Sequence, residues 1–307
     1  MSNNTAAQNS LTFPVPSYRQ GVILVFIAGL CWSTMGLGIR FMEIANVWQI
    51  LFYRSIALTL FLFIVITLRS SGRPLQVIRK AGLAGIIGGL GLVFAFTGGI
   101  FAIQSTSVAN AMFLFAAAPF IAAFLGWFIL GELVRTTTWV ALIIALSGIT
   151  IMVWEGMASG HLAGNISALV SALGFAIFTI TLRWRKLVEM MPTVFLAGLF
   201  ALITSGCISY MLEYTLQIPL NDILIALSMG VFQVGAGLIF YTIGSKSVPA
   251  VELTLISLTE VVLGPLWVWI ALGETVSLYT LLGGMVLLGA IAGNALSGLK
   301  KKPVPIL

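Results

Sequence analysis

The sequence predicts an all-α polytopic membrane protein, with ten transmembrane helices arranged as two inverted five-helix repeats. Three observations carry that prediction: the composition, the apolar runs set against the placement of the cations, and an internal repeat. Of the 307 residues, 60% belong to the set A, V, I, L, M, F, W, Y and C and only 8% are charged, against about a quarter charged in an ordinary soluble domain. So few charges cannot cover a protein of this size in water, whereas helices apolar all round are at home in lipid.

A hydrocarbon core of about 30 Å takes roughly 20 apolar residues to cross at about 1.5 Å per residue. Runs of that length lie near 21–39, 48–68, 81–103, 108–130, 138–155, 163–182, 194–212, 221–243, 251–271 and 278–298, taken here as spans 1 to 10. Residues 1–18 are polar, hold Pro14 and Pro16, and have no cation before Arg19. They read as a cytoplasmic tail and not as a cleaved leader, which would want a positive start and a small-x-small site after a short apolar core.

Cytoplasmic connections hold the excess of Lys and Arg. With the N-terminus inside, the inner segments carry Arg19, Arg69, Arg73, Arg79, Lys80, Arg135, Arg183, Arg185, Lys186, Lys246, Lys300, Lys301 and Lys302, leaving only Arg40 and Arg54 elsewhere. Both termini are then cytoplasmic, and residues 299–307 form a basic tail. One missed or spurious span would scramble this separation, so the charges support the count of ten.

The repeat aligns 105–149 on 247–291 without a gap, at an offset of 142 residues. Ser105 falls on Ser247, Trp127 on Trp269, Leu130-Gly131-Glu132 on Leu272-Gly273-Glu274, and Thr138 on Thr280. Each Leu-Gly-Glu closes one span and precedes the next, so the halves run over 19–155 and 163–298. At an offset of 143, Arg40 and Arg183 likewise end spans 1 and 6. Five spans per half invert the second half, which places Glu132 at the cytoplasm and Glu274 outside.

The same inventory excludes several functions. The net charge of +6 is spread between apolar runs and not gathered on one solvated face, so nucleic acid is not expected as a partner. Cys31 and Cys207 sit inside apolar runs with no CxxC or Cys/His pattern. His161 and Asp222 are the only residues of their kinds, and no HExxH, GxSxG or phosphate-loop motif occurs. No catalytic residue, metal site or cofactor is expected, so the chain is not read as an enzyme. Inverted repeats recur in secondary transporters, whose site lies near the midplane between the halves. Channels and some scaffolds share them.

Ten spans as two fives, Arg54 early in span 2, Ser105-Thr-Ser-Val-Ala-Asn before span 4, Pro119 within it and two Leu-Gly-Glu motifs resemble the EamA-type drug/metabolite transporters. The resemblance covers residues 20 to 298. Val251-Glu-Leu-Thr and Leu258-Thr-Glu-Val-Val-Leu-Gly-Pro-Leu-Trp are most similar to the YddG-type aromatic amino acid exporters of bacterial inner membranes. This resemblance implies export of small amphipathic metabolites, aromatic amino acids first, by alternating access. A carrier of a purine, a cationic drug or a nucleotide sugar is the alternative, the last disfavoured because phosphates want several cations. A non-transporting scaffold and a lipid-handling membrane enzyme are the readings from other classes.

Polar groups inside a bilayer are costly and face a cavity or a partner. Glu260, near the middle of span 9, either lines the cavity or bonds a neighbouring helix, and Gly264-Pro265 follows it as a place for a kink. Arg54, about seven residues into span 2, is expected to find Glu43 or a helix C-terminus, with a substrate carboxylate as the other acceptor. An aromatic zwitterion needs ring faces and a few donors and acceptors. Trp32, Ser33 and Thr34 of span 1, Phe94 and Thr97 of span 3, Phe175, Phe178 and Thr179 of span 6, and Gln233, Phe240 and Tyr241 of span 8 could supply them. Pro119 and Pro265 are candidate pivots. Gly82, Gly85, Gly88, Gly89 and Gly91 in span 3, and Gly289 and Gly293 in span 10, permit close helix approach, either sliding, static or dimeric. Monomer and homodimer are both left open.

Overall fold

A computed structural model describes residues 15–185 and 189–299. The expected tails over 1–18 and 299–307 therefore fall mostly outside the described residues, as does Lys186. Among the described residues, ten helices are long and apolar enough to span a membrane: Tyr18–Arg40, Val47–Arg69, Gly82–Ser105, Val108–Leu130, Thr136–Ala158, Leu162–Trp184, Met191–Met211, Leu220–Gly244, Ala250–Leu272 and Leu278–Gly298. They follow the apolar runs in order, and no strand occurs among the described residues. The bundle end where span 1 starts and span 10 finishes is called the terminal face below, and the opposite end the far face.

Three spans depart from a plain α-helix. Span 1 breaks at Thr34, between Tyr18–Ser33 and Met35–Arg40, where the Thr34 hydroxyl donates to the Cys31 carbonyl at 2.7 Å and gives the backbone a local alternative to the helix. Span 4 breaks between Val108–Phe115 and Ala118–Leu130, because Pro119 has no N–H to bond back to the preceding turn. Span 8 is α-helical over Leu220–Ser228, π-helical over Met229–Ala236 and α-helical again over Gly237–Gly244. Pro265, by contrast, sits inside a helix that is continuous over Ala250–Leu272.

The two Leu-Gly-Glu motifs end their helices alike. Gly131 and Gly273 adopt φ of 68° and 69°, the left-handed conformation that glycine enters without Cβ penalty and that closes a helix C-terminus. Each then turns the following glutamate back toward the bundle.

Packing follows the inverted repeat. Span 3 lies along span 6 and span 1 along span 8; span 4 packs on span 6 and span 9 on span 1; span 2 meets span 7 and span 5 meets span 10. Exchanging the halves turns this set of contacts into itself. Small residues make the approaches close, since helices in lipid associate through fitted contact and not through hydrophobic exclusion. A Cβ on Gly91 would lie 2.8 Å from the Gly174 carbonyl, one on Gly244 2.7 Å from that of Gly21, and one on Gly148 2.6 Å from that of Gly283. A Cβ on Gly289 or Gly293 would meet nothing within 4 Å among the described residues, so no close helix approach there depends on them. The largest buried cluster, including Ile50, Leu51, Ile100, Ile103, Leu114, Met152 and Leu287, lies in the far half of the bundle.

Candidate functional site

Polar contacts tie the far face together. Arg40 Nε meets Glu274 Oε2 at 2.9 Å and Arg40 Nη2 donates to the Thr106 carbonyl at 2.8 Å. The other oxygen of Glu274 accepts the Val108 N–H at 2.7 Å, so the end of span 9 is fastened to the start of span 4. Asp222, fully buried at the start of span 8, accepts the backbone N–H groups of Glu43, Ile44 and Ala45 at 2.9, 3.1 and 3.0 Å. Asn110 of span 4 donates to Asn165 of span 6, and Thr280 of span 10 to Glu155 of span 5. Deeper, Trp267 Nε1 donates to Ser33 Oγ at 2.9 Å, and Gly264 brings span 9 against Met112 of span 4.

The terminal face is linked differently. Glu132 pairs with Arg183, Tyr18 donates to Glu252 at 2.6 Å and Thr138 to Asn294 at 2.8 Å. None of these joins the terminal half of span 4 to span 9. From Val251 to Glu260 every residue of span 9 is partly exposed, while Val261, Gly264 and Val268 beyond them are buried. Between these two spans, with span 10 as a third wall and Arg135 at the edge, lies a cleft of about 230 Å³ lined by Pro119, Phe120, Arg135, Ala250, Val251, Thr254, Ile291, Asn294 and Ala295. The bundle is thus closed at the far face and parted at the terminal face.

Uncompensated polar groups collect near mid-depth. Glu260 lies beside Gly29 of span 1 and within electrostatic reach of Tyr241, and its carboxylate has no hydrogen-bond partner among the described residues. Tyr241 lies against Trp32, ring centroids 5.3 Å apart. Gln233 is buried in the π-helical stretch with Oε1 unpaired, and π-helical turns are frequent at functional sites. Arg54 is 1% exposed, its guanidinium 4.6 Å from the centre of the Phe96 ring, and its Nε and Nη2 have no hydrogen-bond partner.

The family model described as the EamA-like transporter family matches residues 19–154 and again residues 162–296. The chain belongs to the EamA-like transporter family. An uncharacterized transporter of Clostridium kluyveri is 28% identical over 204 residues, which cover 62% of this chain and 65% of that protein. The match thus spans a little under two thirds of that relative. A crystal structure described only as that of a protein is similar with a TM-score of 0.66 at 19% identity, covering 93% of this chain and 100% of its own. That likeness is one of fold.

In this EamA-like transporter the residues singled out from the sequence part into groups. Trp32, Tyr241 and Glu260 come together where span 1 packs against spans 8 and 9. Gln233 lies about two turns before Tyr241 on span 8, with no hydrogen bond or ring contact to the other three among the described residues. Thr34 is spent on the break in span 1, with its hydroxyl on Cys31. Phe178 is 6% exposed and packs in a core with Leu58, Leu92 and Val194, next to the space that Gly88 leaves open. Phe94 is 61% exposed and Thr97 half-buried, and neither makes a side-chain contact that ties it to this group. Arg54 does not reach Glu43 as expected. The loop bearing Glu43 is held instead by Asp222, and Arg54 turns inward onto Phe96. Pro119 lines the cleft, Gly131 and Gly273 are left-handed helix ends, and Glu132 and Glu274 are ion-pair partners.

Sequence reasoning missed the role of Asp222 and the pairing of Arg40. The second had a signal. Arg40 repeats as Arg183 and Glu132 as Glu274, and the inversion brings each arginine to the same face as the glutamate of the other half.

Proposed function

We propose that this chain is a secondary carrier that exports small amphipathic metabolites, aromatic amino acids first, by alternating access between its two halves. The observation that carries the proposal is the one-sided opening: spans 4 and 9 are fastened at the far face and parted at the terminal face by the cleft beside Pro119 and Thr254. Two halves of one design held in unlike conformations can exchange them, which moves the opening to the other side. The distribution of Lys and Arg assigns the terminal face to the cytoplasm. The cleft then faces the cytoplasm, the side from which an exporter loads. The resemblance to YddG-type exporters supports a bacterial inner membrane as its place.

The mid-depth group supports an amphipathic substrate with an aromatic end. Trp32 and Tyr241 offer ring faces, Gln233 an amide, and Glu260 a carboxylate suited to an ammonium group. One carboxylate and no cluster of cations suits a zwitterion better than a phosphorylated metabolite.

The test is flux of labelled phenylalanine, tryptophan and a non-aromatic amino acid in liposomes carrying the purified protein, with and without a pH gradient, for the wild type and Glu260→Gln. The proposal expects saturable aromatic flux exceeding that of the control by at least tenfold, and its loss in Glu260→Gln. Gradient-independent flux that survives the substitution would make Glu260 structural. Absence of aromatic flux in folded protein would remove the substrate assignment.

A further inference from the structure

The two ion pairs are images of each other under the repeat, but their surroundings are not. At the far face Arg40 and Glu274 are joined by two backbone groups: Arg40 donates to the Thr106 carbonyl, and Glu274 accepts the N–H of Val108, the first residue of span 4. The repeat offset carries Thr106 to Val248 and Val108 to Ala250, the first residue of span 9. At the terminal face Glu132 holds Arg183, the image of Arg40, and stops there. Ala250 lies instead across the cleft.

The start of span 9 also wants an acceptor. Span 4 has its own cap, Ser107, whose hydroxyl accepts the Asn110 N–H at 3.2 Å. The matching position before span 9 is Pro249, and that helix has no side-chain cap, which leaves its first N–H groups without the partner a capping residue supplies. Glu252, in the first turn, is held away by the Tyr18 hydroxyl.

We infer that the terminal face closes by the arrangement that now holds the far face shut: Glu132, keeping Arg183, takes the Ala250 N–H, while Arg183 donates to the Val248 carbonyl. The far lock releases as the terminal lock forms. Each Leu-Gly-Glu glutamate is then the latch of one face, and its carboxylate binds the first turn of the opposite gating span only when that face is closed. This rests on the alternating-access reading above and names its device.

The same offset gives a reporter of closure that needs no substrate. Met112 meets Gly264 at the closed far face, and their images are Thr254 and Ala122. Cysteines at these two positions, in cysteine-free protein reconstituted in liposomes, should be joined by a short thiol cross-linker only when the terminal face closes. Glu132→Gln and Glu132→Ala should lower the rate of cross-linking about tenfold, the effect of one charge-assisted hydrogen bond. Glu274→Gln, which weakens the opposite latch, should raise it. Equal rates in all variants, a rise with Glu132→Gln, or no cross-linking in any background of folded protein would overturn the inference. Cross-linking that shifts as expected in protein with no aromatic flux would keep the latch and sink the substrate assignment alone.

Discussion

Asp222→Ala is the substitution whose effect the structure sets most directly. The carboxylate is fully buried and accepts three backbone N–H groups from Glu43, Ile44 and Ala45, at 2.9 to 3.1 Å. A hydrogen bond to a charged group contributes roughly 1.5–3 kcal/mol, and a donor left unpaired in a buried site costs about 1–3 kcal/mol. The burial of the carboxylate itself is unfavourable and offsets part of this sum. A net loss of about 3–5 kcal/mol is expected. Asp222→Asn should fall about as far, because the amide keeps one oxygen for the donors and turns its own N–H₂ toward the rest. The assay is thermal or denaturant unfolding in detergent, with labelling of a cysteine at position 44 as a local probe. Both variants should unfold earlier, and the loop should label faster than in wild type before the bundle melts. A stability change below about 0.5 kcal/mol for Asp222→Ala would refute the claim that this carboxylate holds the far-face loop, since surface substitutions away from such features fall in that range.

Two further outcomes follow from packing and from charge. Gly230→Ala sets a methyl group against the Arg54 carbonyl, with Ala57 Cβ at 2.8 Å and Leu58 N at 2.9 Å, so spans 2 and 8 must separate and the melting temperature should drop by several degrees. Gly289→Ala meets nothing within 4 Å and should leave stability unchanged or raise it by about 0.5–1 kcal/mol through helix propensity; equal losses at both sites would contradict the packing. Glu189, in the connection before span 7, has its carboxyl raised above the ordinary range, chiefly by burial, with Lys246 and Arg69 pulling the other way. The folded state therefore binds this proton more tightly than the unfolded chain, so its contribution to stability is fullest below the ordinary glutamate range and declines as pH rises through the raised value. Unfolding in detergent between pH 4 and pH 8 should show that decline in wild type and a flatter profile in Glu189→Gln; identical profiles would remove Glu189 as the cause.

Much of this fold is legible in the sequence because the bilayer converts a local quantity, the length of an apolar run, into a structural element. That is why all ten spans follow the apolar runs, and why an offset of 142 residues reveals two halves that pack as inverted images. The Leu-Gly-Glu ends are readable for the same local reason: a glycine after an apolar run is the residue that takes the left-handed turn observed at Gly131 and Gly273. Phe178 shows where such reading stops. Its spacing suits a cavity wall, but which side of span 6 it occupies depends on spans 2, 3 and 7, and they enclose it.

By itself, then, the sequence determined the membrane class, the number of spans, the repeat and the family, all of which rest on composition and short-range pattern. Tertiary structure alone decided the partners: Arg40 with Glu274, 234 residues away; Asp222 with a loop 177 to 179 residues distant; and Arg54 with Phe96 in place of Glu43. It also decided which face is open. The physical reason is that a buried charge is satisfied by whichever group the packed helices bring to it, and one chain with two equivalent halves can satisfy its charges at either face in turn.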